Sequence, residues 1–212
     1  MVVKHLLLSV AALGLATAAQ AQSSTVSDPV GDFLPTYTGP WNPDLDVTSL
    51  SVSYNASTTS FLIQSTFAGD INPAMPGFYV IGVNTGTGTG PFAPIGAPDV
   101  LFNQVVLVQK NGTAKIGATN LAAGSVTIGG NALSVIVPLS LLPTTGFVPG
   151  RYGFSIWPRS GTVGGLATIS DFAPNNSTLA AVPEPAAWSM MLGGFALVGG
   201  TLRRRRPSLH FA

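Results

Sequence analysis

Apolar residues fall into three regimes along this 212-residue chain. Residues 6–16 form a short unbroken apolar run behind Lys4 and His5. From 22 to 181 the pattern splits into short segments rich in Val, Ile, Thr and aromatic residues, punctuated by Gly, Pro and Asn. Residues 186–202 then form an uncharged stretch that ends on Arg203-Arg204-Arg205-Arg206. A continuous apolar run and a segment of period 2 demand different environments, so each regime predicts its own kind of element.

The middle regime predicts strands at 47–54, 61–67, 78–83, 100–108, 113–117, 125–128, 132–139, 151–157 and 166–170. Alternation is plainest where Leu50, Val52 and Tyr54 interleave with Ser49, Ser51 and Ser53; successive strand residues point to opposite faces, which puts the serines toward water. Asn111-Gly112 and Gly129-Gly130-Asn131 supply turn residues between such segments. No stretch carries a 3.6-residue apolar period long enough for a major helix. The expected fold is therefore all-β: a single β-sandwich, jelly-roll or Ig-like, which buries half-apolar strands in two layers. The Thr85-Gly86-Thr87-Gly88-Thr89-Gly90 stretch, with Pro91, Pro94 and Pro98, reads as a flexible low-complexity loop.

Both ends read as targeting segments. Lys4 and His5, the apolar run and Ala19-Gln20-Ala21 match the n-region, h-region and A-x-A cleavage site of a signal peptide, so cleavage after Ala21 makes Gln22 the first mature residue. At about 1.5 Å rise per residue, a helix over 186–202 covers ~25 Å, the short end of a bilayer span. Pro185 suits the first helical position, Trp188 an outer interface, and the arginines the cytoplasmic side. The chain thus divides into a signal segment (1–21), a β-sandwich module (22–181) and a C-terminal segment (182–212) with a transmembrane helix and a basic cluster.

Pro183-Glu184-Pro185, then Trp188, Met190-Met191-Leu192, Gly194-Phe195, Leu197-Val198-Gly199 and Arg203 to Arg206, resembles the PEP-CTERM sorting signal of exported bacterial proteins. Six residues, 207–212, extend past the arginines. The resemblance implies an exosortase partner, a membrane transpeptidase-like enzyme that cleaves near the triplet. It also implies export across the inner membrane, transient anchoring there through the C-terminal helix, and delivery to the cell surface or extracellular matrix and its exopolysaccharide.

Without its ends the chain changes character. Residues 22–181 hold seven Asp, no Glu, two Lys and two Arg, a net charge of −3. No basic stripe exists to neutralise phosphates, so nucleic acid is not an expected partner. Cysteine is absent, and the two histidines, His5 and His210, lie in the targeting ends. Ser-His-Asp triads, Cys-His pairs and His- or Cys-ligated metals are excluded from the module on composition alone. No catalytic residue is expected, although a hydrolase working through Asp pairs is conceivable.

Two constellations carry candidate chemistry. Asp28-Pro29-Val30-Gly31-Asp32 precedes Pro43-Asp44-Leu45-Asp46 and a strand, and Asp171 follows the last predicted strand. This opening resembles the start of secreted carbohydrate-binding sandwich modules, some of which hold structural calcium. Asp28, Asp32, Asp44 and Asp46 are the candidate ligands, since calcium takes carboxylate and carbonyl oxygens on loops. The spacing matches no defined calcium loop, which favours the plainer reading of turn formers and Asx caps. Trp41 and Tyr37, with Phe33 and Tyr79, are candidates for stacking on sugar rings, against the ordinary fate of packing in a sandwich core. Arg151 and Arg159, which flank Trp157, are expected to pair with Asp171 or to lie over the indole.

The expected function is a non-enzymatic structural or interaction role at the cell surface or in the matrix, with no cofactor beyond a structural calcium. A carbohydrate-binding module for the exopolysaccharide is the alternative, and an Asp-based hydrolase a third.

Overall fold

The alternation at Leu50, Val52 and Tyr54 becomes a nine-residue strand with Leu50 and Val52 fully buried on one face and Ser49, Ser51 and Ser53 half-buried on the other. A computed structural model describes residues 22–161 and 165–181. Its strands are β1 (Gln22–Ser27), β2 (Val47–Asn55), β3 (Ser60–Phe67), β4 (Phe78–Asn84), β5 (Gln104–Gln109), β6 (Ala114–Ile116), β7 (Thr119–Asn120), β8 (Val126–Gly129), β9 (Ala132–Pro138), β10 (Gly153–Arg159) and β11 (Leu179–Ala180). They pair antiparallel throughout in two sheets, β1-β2-β3-β9-β8 and β11-β10-β4-β5-β6-β7. Only short 3₁₀ turns accompany them among the described residues. Among those residues no helix is long and apolar enough to cross a membrane, and the expected signal and transmembrane helices lie outside them.

The inner faces of the sheets meet in one core. Leu50, Val52, Phe61, Ile63 and Val135 from the first sheet pack with Tyr79, Ile81, Val106, Val108, Phe154 and Ile156 from the second. Phe61 sits between Tyr152 and Phe154, with ring centroids 5.5 and 5.1 Å away, close enough for aromatic attraction beyond simple burial.

A second core lies on the outer face of the six-stranded sheet. Val80 and Trp157 project there and are covered by Phe92, Ile95, Val100, Ile169 and Phe172 from flanking loops. This is why β4 and β10 read as near-continuous apolar runs: both faces of each strand are buried. Trp157 lies against Gly82, where a Cβ would fall 2.5 Å from the indole ring.

The structure corrects several expectations. The 166–170 segment is a 3₁₀ turn (Gly165–Thr168) followed by a single bridge between Ile169 and Arg159; its apolar residues cover the second core. The strand expected from residue 100 starts at Gln104, because Val100 is buried in the second core and Phe102 packs against it. Strand β1 has one apolar residue in six, and its extended state comes from pairing with β2 from Gln22–Tyr54 to Ser27–Ser49. The Thr-Gly loop, expected to be flexible, is pinned. Asn103 Oδ1 accepts from the Thr85 amide at 2.9 Å, while Asn103 Nδ2 donates to the hydroxyls of Thr85 and Thr145, each at 2.9 Å. Thr85 O accepts from the amides of Thr145 and Phe147, both at 3.0 Å. Gly86, at φ +140°, approaches the Gly146 backbone so closely that a Cβ would meet its nitrogen at 2.5 Å.

Candidate metal centre

Pro43–Leu45 form one 3₁₀ turn immediately before β2. Asp44 lies inside the turn and Asp46 follows it with extended backbone, so the two side chains leave in different directions. Asp44 turns to Lys110, with Nζ 2.7 Å from its Oδ2 and both side chains 3% exposed. Its Oδ2 also accepts from the Asn72 amide at 3.0 Å, and the Asp44 carbonyl accepts from the Tyr79 hydroxyl at 3.1 Å. Asp44, expected as a ligand, is therefore the acid of a buried ion pair.

Asp46 turns toward the 28–32 loop. Its Oδ2 accepts from the Gly31 amide at 2.8 Å, while its Oδ1 is buried with no hydrogen-bond partner. Asp28 and Asp32 flank Gly31, whose φ of +84° makes the tight reversal that brings the two carboxylates together. The third member of their group comes from far away in sequence. One carboxylate oxygen each from Asp28, Asp32 and Asp171 lie within 4.8 Å of one another. Asp171 is wholly buried; Oδ2 accepts from the Val47 amide at 2.8 Å, at the start of β2, and Oδ1 from the Phe172 amide at 2.6 Å. Asp28 Oδ2 and Asp32 Oδ1 are, like Asp46 Oδ1, buried without a partner. The Asn175 amide reaches Asp32 Oδ2 at 3.3 Å.

The electrostatics are those of acids crowded together. Burial first, then the charges of Asp32 and Asp46, pushes the Asp28 carboxyl up to about 7. Burial also pushes Asp171 up to about 8, with Asp28 and Asp32 adding to the rise and the Val47 amide opposing it. Asp46 is raised in the same way, chiefly by burial. A desolvated carboxylate beside like charges resists ionisation, so the cluster as it stands favours bound protons or a cation.

The aromatic candidates separate by exposure. Trp41 is 68% exposed and lies 4.9 Å from the Phe33 ring, which in turn stacks on Tyr37 at 5.6 Å. Tyr37 is buried, its hydroxyl donating to Pro40 O at 2.6 Å, so it backs the group and does not present a face. Tyr79 is a core residue stacked on Phe67 at 4.4 Å. Arg159, expected at Asp171 or over Trp157, donates through Nε to the Thr168 hydroxyl at 2.7 Å and through a terminal nitrogen to Gly165 O at 2.6 Å.

The structure thus brings Asp28 and Asp32 together with Asp171, holds Asp46 beside them through the Gly31 amide, and gives Asp44 to Lys110. Nothing local marks Asp171 as a member; its place follows from the amide of Val47, 124 residues away. The cleavage residues Ala19 and Ala21 and the sorting residues Pro183, Glu184, Pro185 and Arg203 to Arg206 lie outside the described residues.

Comparison with known proteins identifies the tail. Residues 181–206 match the family model described as the PEP-CTERM protein-sorting motif. No curated protein and no solved structure gives a match. The chain carries an exosortase sorting motif, which implies export and a cell-surface or extracellular destination.

Proposed function

We propose that this protein is a non-enzymatic surface or matrix component, anchored transiently in the inner membrane by the 186–202 helix and handed by exosortase to the exopolysaccharide layer. The observation that carries the reading is the sorting motif at 181–206 placed directly behind an all-β sandwich. The module's chemistry supports it. Residues 22–181 contain no His, Cys or Glu. Of the clustered carboxylates Asp171 is fully buried and Asp28 and Asp32 are half-buried on one loop, whereas a glycosidase needs its two acids on either side of an open scissile bond. A recess of about 400 Å³ near β6 and β8, lined by Thr113, Asn120, Leu121 and Val126, has no ionisable side chain in its wall.

A second reading, binding of the polysaccharide itself, is favoured by one feature. Trp41 exposes most of an indole face backed by Phe33, the kind of apolar platform on which a sugar ring stacks.

The deciding experiment is mass spectrometry and fractionation of the protein from its native host, with and without exosortase activity. The reading expects a dominant species that starts at Gln22, ends near Pro183 to Pro185 and co-fractionates with exopolysaccharide when exosortase is active. A dominant species that retains Arg203 to Arg206 in the membrane despite active exosortase would refute it.

A further inference from the structure

We propose that Asp28, Asp32, Asp46 and Asp171 form a calcium site that locks one end of the sandwich. Three acids in proximity would not by themselves make a site. The added observation is Asp46, outside the three-acid group, 98% buried and held by Gly31 so that its carboxyl faces the same loop, with Oδ1 unpartnered. Two further orphaned oxygens, Asp28 Oδ2 and Asp32 Oδ1, belong to the group itself. Buried polar atoms without partners are uncommon in native proteins, and two of them inside one carboxylate group, with a third on Asp46 whose charge is felt at Asp28, call for a common partner.

A shared proton does not supply it. A proton shared between Asp28 and Asp171 satisfies at most one orphan and leaves Asp32 Oδ1 and Asp46 Oδ1 bare. A divalent cation satisfies the orphans of the group and offsets the burial and the mutual charge that resist ionisation of these acids.

The donor set and its geometry select the ion. Every candidate ligand is a carboxylate oxygen, which suits hard cations and not zinc or copper. Magnesium demands near-ideal octahedral geometry and keeps several of its waters, whereas calcium accepts an irregular cage of carboxylates. The three oxygens of the group lie within 4.8 Å of one another, close enough for one ion to touch all three. The destination fits as well: a protein exported by its sorting motif meets calcium outside the cell, where modules bind it with Kd of about 0.1–1 mM.

The ion would join three parts of the chain: the loop after β1, the entry to β2 and the segment after β10 that covers the second core. The inference does not depend on the surface role proposed above, since it concerns only the module's stability.

The test uses the full-length chain in mild detergent, stripped with EDTA and titrated with calcium chloride by isothermal calorimetry and by thermal melting, with magnesium chloride in parallel. One equivalent of calcium should bind, and about 5 mM calcium should raise Tm by about 3–6 °C at a Kd near 0.5 mM, magnesium doing far less. Asp46→Asn and Asp32→Asn should each weaken calcium binding at least tenfold. Asp32 is half-buried and bonded only to Asn175, so Asp32→Asn keeps the fold even if Asp46→Asn does not. Three results overturn the site: an unchanged melting curve with calcium, an equal response to magnesium, or a calcium response that survives in Asp32→Asn.

Discussion

Asp44 and Lys110 meet across 2.7 Å with both side chains 3% exposed, a charge pair almost wholly withdrawn from water. Lys110 sits just past β5 and also donates to Pro76 O at 3.3 Å, and Asp44 precedes β2, so the pair spans the two sheets. Removing one partner leaves the other charge buried. Asp44→Asn or Lys110→Met alone should cost about 3–5 kcal/mol, while Lys110→Met combined with Asp44→Asn should recover most of that loss, since no bare charge is left. Urea unfolding of the four proteins closes the double-mutant cycle; additive losses would show that the pair does not act as a unit.

Asn103 is the clamp on the Thr-Gly loop. It accepts from the Thr85 amide and donates to the hydroxyls of Thr85, Thr87 and Thr145, and Thr85 is fully buried. Asn103→Ala should cost about 1–3 kcal/mol, because the Thr85 amide is then buried without an acceptor. Hydrogen exchange across residues 85–90 should accelerate together with that loss; unchanged protection would show that the backbone bonds from Thr145 and Phe147 to Thr85 suffice.

Gly82 is required for space. Its φ is not in the left-handed region, yet a Cβ there would strike the Trp157 ring at 2.5 Å. Gly82→Ala should destabilise by about 1–3 kcal/mol through overpacking, and the Trp157 emission should shift as the indole is pushed from the second core. Gly82→Ala paired with Trp157→Leu should be less damaging than the sum of the two, a result that thermal melts of the set would reveal.

Trp41 separates binding from folding. With 68% of its surface exposed, Trp41→Ala should change stability by no more than about 0.5 kcal/mol. Glycan-array binding by the full-length protein in detergent, if the indole is a sugar platform, should be lost in the same variant. Binding undiminished in Trp41→Ala would remove the platform.

How much of this was legible in the chain divides along physical lines. Local patterns carried the central strands: the Leu50, Val52, Tyr54 alternation and the Gly130-Asn131 and Asn111-Gly112 turns depend on neighbours in sequence, and they stand where expected. The tail motif is likewise linear, because a sorting enzyme reads it as a segment; Pro183-Glu184-Pro185, the apolar run and the arginines sufficed. Charge and residue inventory also needed no structure, and the lack of His and Cys in 22–181 excluded whole classes of chemistry.

Tertiary structure decided the rest. Strand β1 exists because an edge of β2 pairs with it, and 166–170 is not a strand because its apolar residues are needed over Trp157. The acidic centre shows the limit most clearly. Asp44 and Asp46 are two residues apart and look equivalent, but one 3₁₀ turn sends the first to Lys110 and the second to Gly31. Asp171 joins from 124 residues beyond Val47 through an amide that only the folded sandwich brings within reach. Sequence by itself determined the address, the charge and the strand-forming segments, since these depend on composition and short-range order. Which carboxylates converge, and which one is neutralised by a lysine, depends on contacts between distant segments, and only the packing of the two sheets creates those.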